Sequence, residues 1–195
     1  MTEAPPEVRA ARPADAESFL DAYRSVAAER RYVQTEVVER TGRFYRRRFR
    51  RSVDAEGAHL LAVEAGRVVG SVSIRRSDHP VTRHVATLGM FVVSDRRGRG
   101  IGTALLHAAL RWAGRNGVER VELTVYPTNT AALALYRRFG FAQEGRLVRH
   151  AKKSYGYEDE ILMALWIGPE PVMPEPVEPE PVEKEERSSV EGERT

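Results

Sequence analysis

The chain has 195 residues, with 31 Lys and Arg set against 28 Asp and Glu for a net charge of +3. That length suits one domain with an ample core and a tail. With no cysteine present, a disulfide framework, a thiolate nucleophile and a zinc ribbon are all excluded. No apolar run is long enough to span a bilayer, and the opening Met1-Thr-Glu-Ala-Pro-Pro6 lacks a signal-peptide core. A soluble cytoplasmic protein with no membrane role is therefore expected.

In chain order, Glu7 to Arg12 reads as an edge strand and Pro13-Ala-Asp as a helix opening. The helix is expected over 14–31, with Phe19, Leu20, Tyr23, Val26 and Ala27 on one face. A second helical pattern covers 37–51, interrupted near Gly42, with Phe44, Tyr45 and Phe49 as its core side and its arginines in solvent. Strands over 58–63 and 68–74, joined by a turn at Gly66, form a hairpin. After a loop at 77–80, a strand over 84–93 runs into a Gly/Arg turn and then a helix over 103–115. A strand at 120–125, a helix at 129–139 with Asn129 as N-cap and Gly140 just past its end, and strands near 141–149 and 157–166 complete the pattern. Helices interleaved with mainly antiparallel strands imply an α/β (α+β) sheet with helices on both faces.

The domain is expected to end at Ile167, leaving 168–195 as a tail. There Glu-Pro-Val recurs at 170, 175 and 180, and nine glutamates against Lys184, Arg187 and Arg194 leave a charge of −6. Repeated proline and few apolar groups predict an extended, disordered, solubilising appendage; a tether for a basic partner is its sharper alternative. Residues 1–167 then carry +9. A phosphorylated ligand accounts for that charge without invoking nucleic acid.

The most informative segment is Met90 to Leu106. Gly98, Gly100 and Gly102 let the backbone curl with its N–H groups inward, and the following helix adds its unpaired N–H groups and positive dipole end. Arg97 and Arg99 supply two permanent charges suited to phosphate. A P-loop would need Gly-Lys-Ser/Thr where this chain has Gly102-Thr103-Ala104, and a dinucleotide fingerprint would need glycine where Thr103 stands. The pattern Arg/Gln-x-x-Gly-x-Gly is matched by Arg97-Gly-Arg-Gly100-Ile-Gly102 without a mismatch.

On this motif the chain resembles the GNAT superfamily of acyl-CoA N-acyltransferases. Asn129-Thr-Ala-Ala-Leu-Ala-Leu-Tyr-Arg-Arg-Phe-Gly-Phe141 is similar to a second segment of that family, and Gly156 to Met163 is similar to its closing strand. The resemblance covers residues 84–166. It implies that Arg97, Gly98, Arg99, Gly100, Gly102 and Thr103 hold the pyrophosphate of coenzyme A, and that the strand before them carries a bulge and splays from its neighbour. It further implies that the backbone of Phe91 and Val92 pairs with the thioester of acetyl-CoA. By the same resemblance Tyr136 is expected to be the general acid for the departing thiolate, and Asn129 to touch the pantetheine arm or cap its helix. No metal is implied, and dimers are frequent in the family.

The base is left open: His84, Thr87 and Glu122 lie on the central strands, each with an ordinary structural explanation. Arg46 to Arg48 are candidates to meet an acidic acceptor. The resemblance implies acetyl transfer to a small-molecule primary amine such as an amino acid. The alternatives are a protein Nα-acetyltransferase of ribosomal type and a non-catalytic acyl-CoA-binding regulator.

Overall fold

The computed structural model describes residues 6–169, so the tail expectation falls outside the described residues from Glu170 onward. Seven strands form one sheet in the order β1-β2-β3-β4-β5-β7-β6. They are β1 (Glu7–Ala10), β2 (Gly57–Glu64), β3 (Arg67–Arg76), β4 (Val85–Val92), β5 (Arg120–Val125), β6 (Ala142–Lys153) and β7 (Gly156–Trp166). Every neighbouring pair is antiparallel except β4 and β5. The helices are α1 (Ala16–Ala28), α2 (Gly42–Arg48), α3 (Ile101–Arg115) and α4 (Thr130–Arg138).

Helix α1 buries Phe19, Leu20, Val26 and Ala27 as their spacing predicts. It is shorter than expected because Pro13 to Asp15 form a 3-10 turn and Arg30 takes φ +54°, a left-handed conformation that ends the helix. The segment 37–41 is irregular, and helix begins only at Gly42, followed by a 3-10 turn over Phe49–Arg51. Tyr45 and Phe49 enter the core against Phe19, but Phe44 is 39% exposed. Tyr45 and Phe49 are four residues apart and share a side, whereas Phe44 is one residue from Tyr45, about 100° round the helix, and lies under the Arg40 guanidinium.

The sheet is sandwiched. On one face Phe91 of β4 packs on Phe19 and Tyr23 of α1. On the other, α3 presses so closely that a Cβ at Gly70 would stand 3.0 Å from Leu105. Helix α4 is bounded as the sequence indicates: Asn129 Oδ1 accepts from Ala132 N at 3.2 Å. At its far end Gly140 has φ +90°, with Phe141 N donating to Tyr136 O and Gly140 N to Arg137 O. Strand β6 runs four residues beyond its expected end. Its register against β7 shifts between Leu147 and Ala151, where Asp159 accepts from Arg149 N and Arg146 Nε. That shift carries His150 toward Glu160.

Candidate active site

A cleft of about 1640 Å³ runs across the sheet, lined by β4, β5, the turn before α3, α4 and the 32–40 segment. Its floor is a split in the sheet. Strand β4 pairs with β5 only over Val85–Thr87, while its register with β3 continues unbroken to Val92. The expected splay is present; the expected bulge is not. No register shift occurs in the β3–β4 pair, because the gap opens where β5 stops pairing rather than where β4 distorts.

The unbroken register decides which main-chain groups face the gap. Val93 N donates to Val69 O and Ser77 N to Val85 O, so the odd-numbered residues of this strand exchange hydrogen bonds with β3. The even-numbered residues Leu88, Met90 and Val92 therefore turn their N–H and C=O groups toward β5. Val92 is the expected residue. Phe91, the other residue expected there, has its main chain bonded toward Ser71, so Met90 takes that place. The Phe91 side chain reaches the cleft from the α1 face.

At the end of β4, Gly98 and Gly100 adopt φ +75° and +80° with open space where a Cβ would stand. Their requirement for glycine is conformational. Gly102 is different, since a Cβ there would meet Leu135 at 3.1 Å, so this glycine sets the approach of α4 to α3. The first main-chain bond of α3 is Ala104 N to Gly100 O. The N–H groups of Ile101, Gly102 and Thr103 are thus left to the cleft, with the positive dipole end behind them. This is the observation that fits a pyrophosphate.

Of the expected basic residues, Arg97 lines the cleft but is firmly held. It donates to Glu29 through both terminal nitrogens at 2.8 and 2.6 Å, donates to Val92 O at 3.0 Å, and lies over the Tyr32 ring. Arg99 is not part of the lining. A cation that sequence reasoning missed, Arg138 at the end of α4, lines the cleft and donates to the Thr103 hydroxyl at 2.8 Å. Only its basic character near a helix end could have flagged it. Tyr136 projects from α4 into the cleft beside Phe141, and burial pushes its phenol up to about 12. Asn129 lines the cleft as well, with its side-chain oxygen committed to the α4 cap.

Beyond the gap, on the α1 and α2 face, lies a chamber the sequence did not reveal. Glu160 of β7 is 1% exposed and lines it. Its carboxylate accepts from Gln34 Nε2 at 2.9 Å and meets His150 Nδ1 at 3.0 Å. Burial works to raise its pKa, but hydrogen bonds from Gln34, His150 and Thr124 outweigh it and hold the carboxyl below the usual range. Facing it, Tyr126 is 3% exposed, and its hydroxyl has no hydrogen-bond partner among the described residues. Burial first, then the charges of Glu160 and Glu158, push that phenol up. Lys153 spends its ammonium on the carbonyls of Val33 and Gln34 and sits 4.9 Å from the Tyr126 ring.

On the opposite flank, His59 lies 8% exposed between Phe19 and Phe49 with Nε2 2.9 Å from Ser71 Oγ. Burial, aided by Arg48, drives its pKa down to about 3. Arg48 and Arg40 line this flank, and neither has a carboxylate within 4 Å among the described residues. Arg46, in contrast, is paired with Glu17 outside the chamber, and Arg47 stands in a surface groove with Arg43 and Arg50.

The three candidate bases separate. Thr87 and Glu122 line the cleft, with Arg120 Nε 3.8 Å from the Glu122 carboxylate. His84 meets the Trp166 ring edge-on, away from the lining. No group of three or more metal-ligating side chains occurs among the described residues. No described helix is long and apolar enough to cross a membrane.

Comparison with known proteins agrees with this geometry. Residues 20–141 match the model of the Acetyltransferase (GNAT) family. Over 106 residues, 54% of this chain, the sequence is 34% identical to the L-amino acid N-acetyltransferase AaaT of Escherichia coli, covering 65% of that protein. Over 91 residues, 47% of the chain, it is 34% identical to the N-alpha-acetyltransferase MAK3 of Arabidopsis thaliana, covering 48% of it. The chain thus spans less than two thirds of the length of these curated relatives. The structure of yncA from Salmonella typhimurium with its cofactor acetyl-CoA superposes with a TM-score of 0.78 at 17% identity, over 88% of this chain and 99% of that one. At that identity the likeness concerns the fold.

Proposed function

The chain belongs to the Acetyltransferase (GNAT) family, and from that premise we propose that it is an N-acetyltransferase whose acceptor is the primary amine of an amino acid, acetylated by direct attack on acetyl-CoA in a ternary complex. Acetyl-CoA supplies the thioester carbonyl; everything else in the reaction falls to this chain's groups. The N–H donors at the start of α3, with Arg138 beside them, meet the pyrophosphate. The inward N–H groups of Met90 and Val92 hold and polarise the acyl arm. The neutral amine attacks: as its nitrogen bonds to the carbonyl carbon and the C–S bond breaks, the nitrogen's proton passes to solvent and coenzyme A leaves as a thiolate, whose sulfur the Tyr136 hydroxyl faces. A phenol near 12 does not fully surrender its proton to a thiolate whose acid has a pKa of about 8.5. It acts by donating a hydrogen bond along the breaking bond.

The observation that carries the amino-acid reading is the polarity of the chamber. Glu160 stands on the β7 side, and Arg40 and Arg48, unpaired by any described carboxylate, stand on the other. A zwitterion satisfies both poles, whereas a polyamine leaves the arginines facing a cation. The relative MAK3 keeps a peptide N-terminus as the second reading. The test is thiol release from acetyl-CoA across the twenty amino acids, polyamines and short peptides. An amino acid is expected to be turned over best, with Arg48→Gln raising its KM about tenfold and leaving the KM for acetyl-CoA unchanged. Preference for peptides, or an unaltered KM, refutes the amino-acid reading.

A further inference from the structure

We propose that Glu160, Thr124 and Tyr126 form the subsite that receives the acceptor as a primary ammonium, a role the sheet register creates and no motif encodes. The inference rests on the transfer reading above and adds the group that recognises the amine.

The chamber wall there is a carboxylate kept charged but not neutralised. Besides Tyr126, three side chains meet Glu160. Gln34 donates from the segment after α1, His150 contributes Nδ1 from β6, and the Thr124 hydroxyl of β5 lies near enough to help lower the Glu160 pKa. Lys153 of β6 has its ammonium on two backbone carbonyls, and no Lys or Arg lies within 4 Å of the Glu160 carboxylate among the described residues. Glu158 of β7 adds a second negative charge near Tyr126, and its Oε2 is likewise buried without a partner.

A buried oxygen without a donor, beside a charged carboxylate, describes a place that a cation with several N–H groups fits. The Tyr126 hydroxyl is the independent indication. It is buried, belongs to a side chain that lines the cleft, and lies beside Glu160 without a hydrogen bond of normal length to any described residue. A small alkylammonium supplies three donors on one tetrahedral nitrogen, enough for Glu160, Tyr126 and Thr124.

The position suits the reaction. Val125 pairs with Ile161, so Tyr126 and Glu160 continue that row, and extending the β4–β5 register from Thr87 and Glu122 brings Phe91 level with Tyr126. The subsite therefore lies one strand away from the gap, on the acceptor side of it. Half-exposed His150, joined to Glu160 on its far side, connects the carboxylate to solvent.

The test compares wild type with Glu160→Gln, which keeps the shape and the bonds to Gln34 and His150 but removes the charge. For the fastest of the twenty amino acids, Glu160→Gln is expected to raise the acceptor KM at least tenfold with the acetyl-CoA KM unchanged. Tyr126→Phe, which loses no hydrogen bond of normal length, is expected to raise it several-fold without lowering the melting temperature. It decides the matter if the glutamine variant does not fold. A separate arm titrates ethylamine hydrochloride into the coenzyme A complex and follows backbone amide resonances. Shifts at Thr124 and Tyr126 in wild type, absent in Glu160→Gln, support the subsite. Acceptor KM values within twofold of wild type in both variants, or identical ethylammonium responses, overturn it. If wild type acetylates no amino acid but binds ethylammonium here, the acceptor reading fails and the subsite stands.

Discussion

Acid should destabilise this protein well above the carboxylate range, and the cause is one buried imidazole. His59 has a pKa of about 3 in the fold, against the ordinary histidine value of about 6.5 in the unfolded chain. The folded state therefore binds fewer protons, and stability falls as pH drops below about 6.5. Between pH 7.5 and pH 5 the unfolded chain protonates this site almost fully while the folded chain does not. The loss is roughly 1.5 pH units at 1.36 kcal/mol each, about 2 kcal/mol, with a local slope near pH 5 of about 1.3 kcal/mol per unit. Ionisation inside the fold would leave a cation between Phe19 and Phe49 and near Arg48, with no carboxylate to meet it. The assay is urea denaturation at pH 7.5, 6.5, 5.5 and 5.0 for wild type and for His59→Gln, whose amide can still bond Ser71. The variant is less stable at pH 7.5, but its curve should be flatter by about 2 kcal/mol over that interval. Parallel curves would refute the reasoning, because every other titrating group is common to both proteins.

Three further outcomes are expected. Tyr136→Phe should lower kcat about a hundredfold or more while leaving the KM for acetyl-CoA within twofold, read by thiol release; an unchanged kcat removes the phenol from the reaction. Gly100→Ala meets open space but must hold φ +80°, so it should cost about 1 kcal/mol of stability and raise the acetyl-CoA KM several-fold. Asn129→Ala should cost about 1 kcal/mol through loss of the α4 cap, visible as a lower urea midpoint at unchanged slope.

The parts of the fold that were legible in the sequence are those written in local chemistry. Gly98 and Gly100 announce positive φ, Asn129 and Gly140 bracket α4, and the Val-rich run before the turn announces β4, because each signal is complete within a few residues. The chamber is not local. Gln34 reaches Glu160 across 126 positions, and Lys153 reaches Val33 across 120. Glu160 sits in a closing strand where alternation alone predicts an outward carboxylate; only the β5–β7 register, with the irregularity of β6 that delivers His150, turns it into a buried acid. His59 was read simply as part of a hairpin, since nothing adjacent in sequence names Phe19, Phe49 or Ser71 as its surroundings. Arg97 shows the reverse. Its motif position was recognised, but its partner Glu29, 68 residues earlier, was not.

The alternation along β4 also governs what mutagenesis is able to see. Because Met90 and Val92 face the gap with amide and carbonyl, an alanine scan of this strand leaves those groups in place and reports only on packing. Chemical substitution of the backbone reads the strand directly. An ester in place of the amide at an even position withdraws a donor from the gap, and the same change at Phe91 or Gly89 withdraws one from the ladder with β3. Neighbouring positions one atom-for-atom exchange apart would thus divide cleanly, one set weakening turnover and the other weakening the fold.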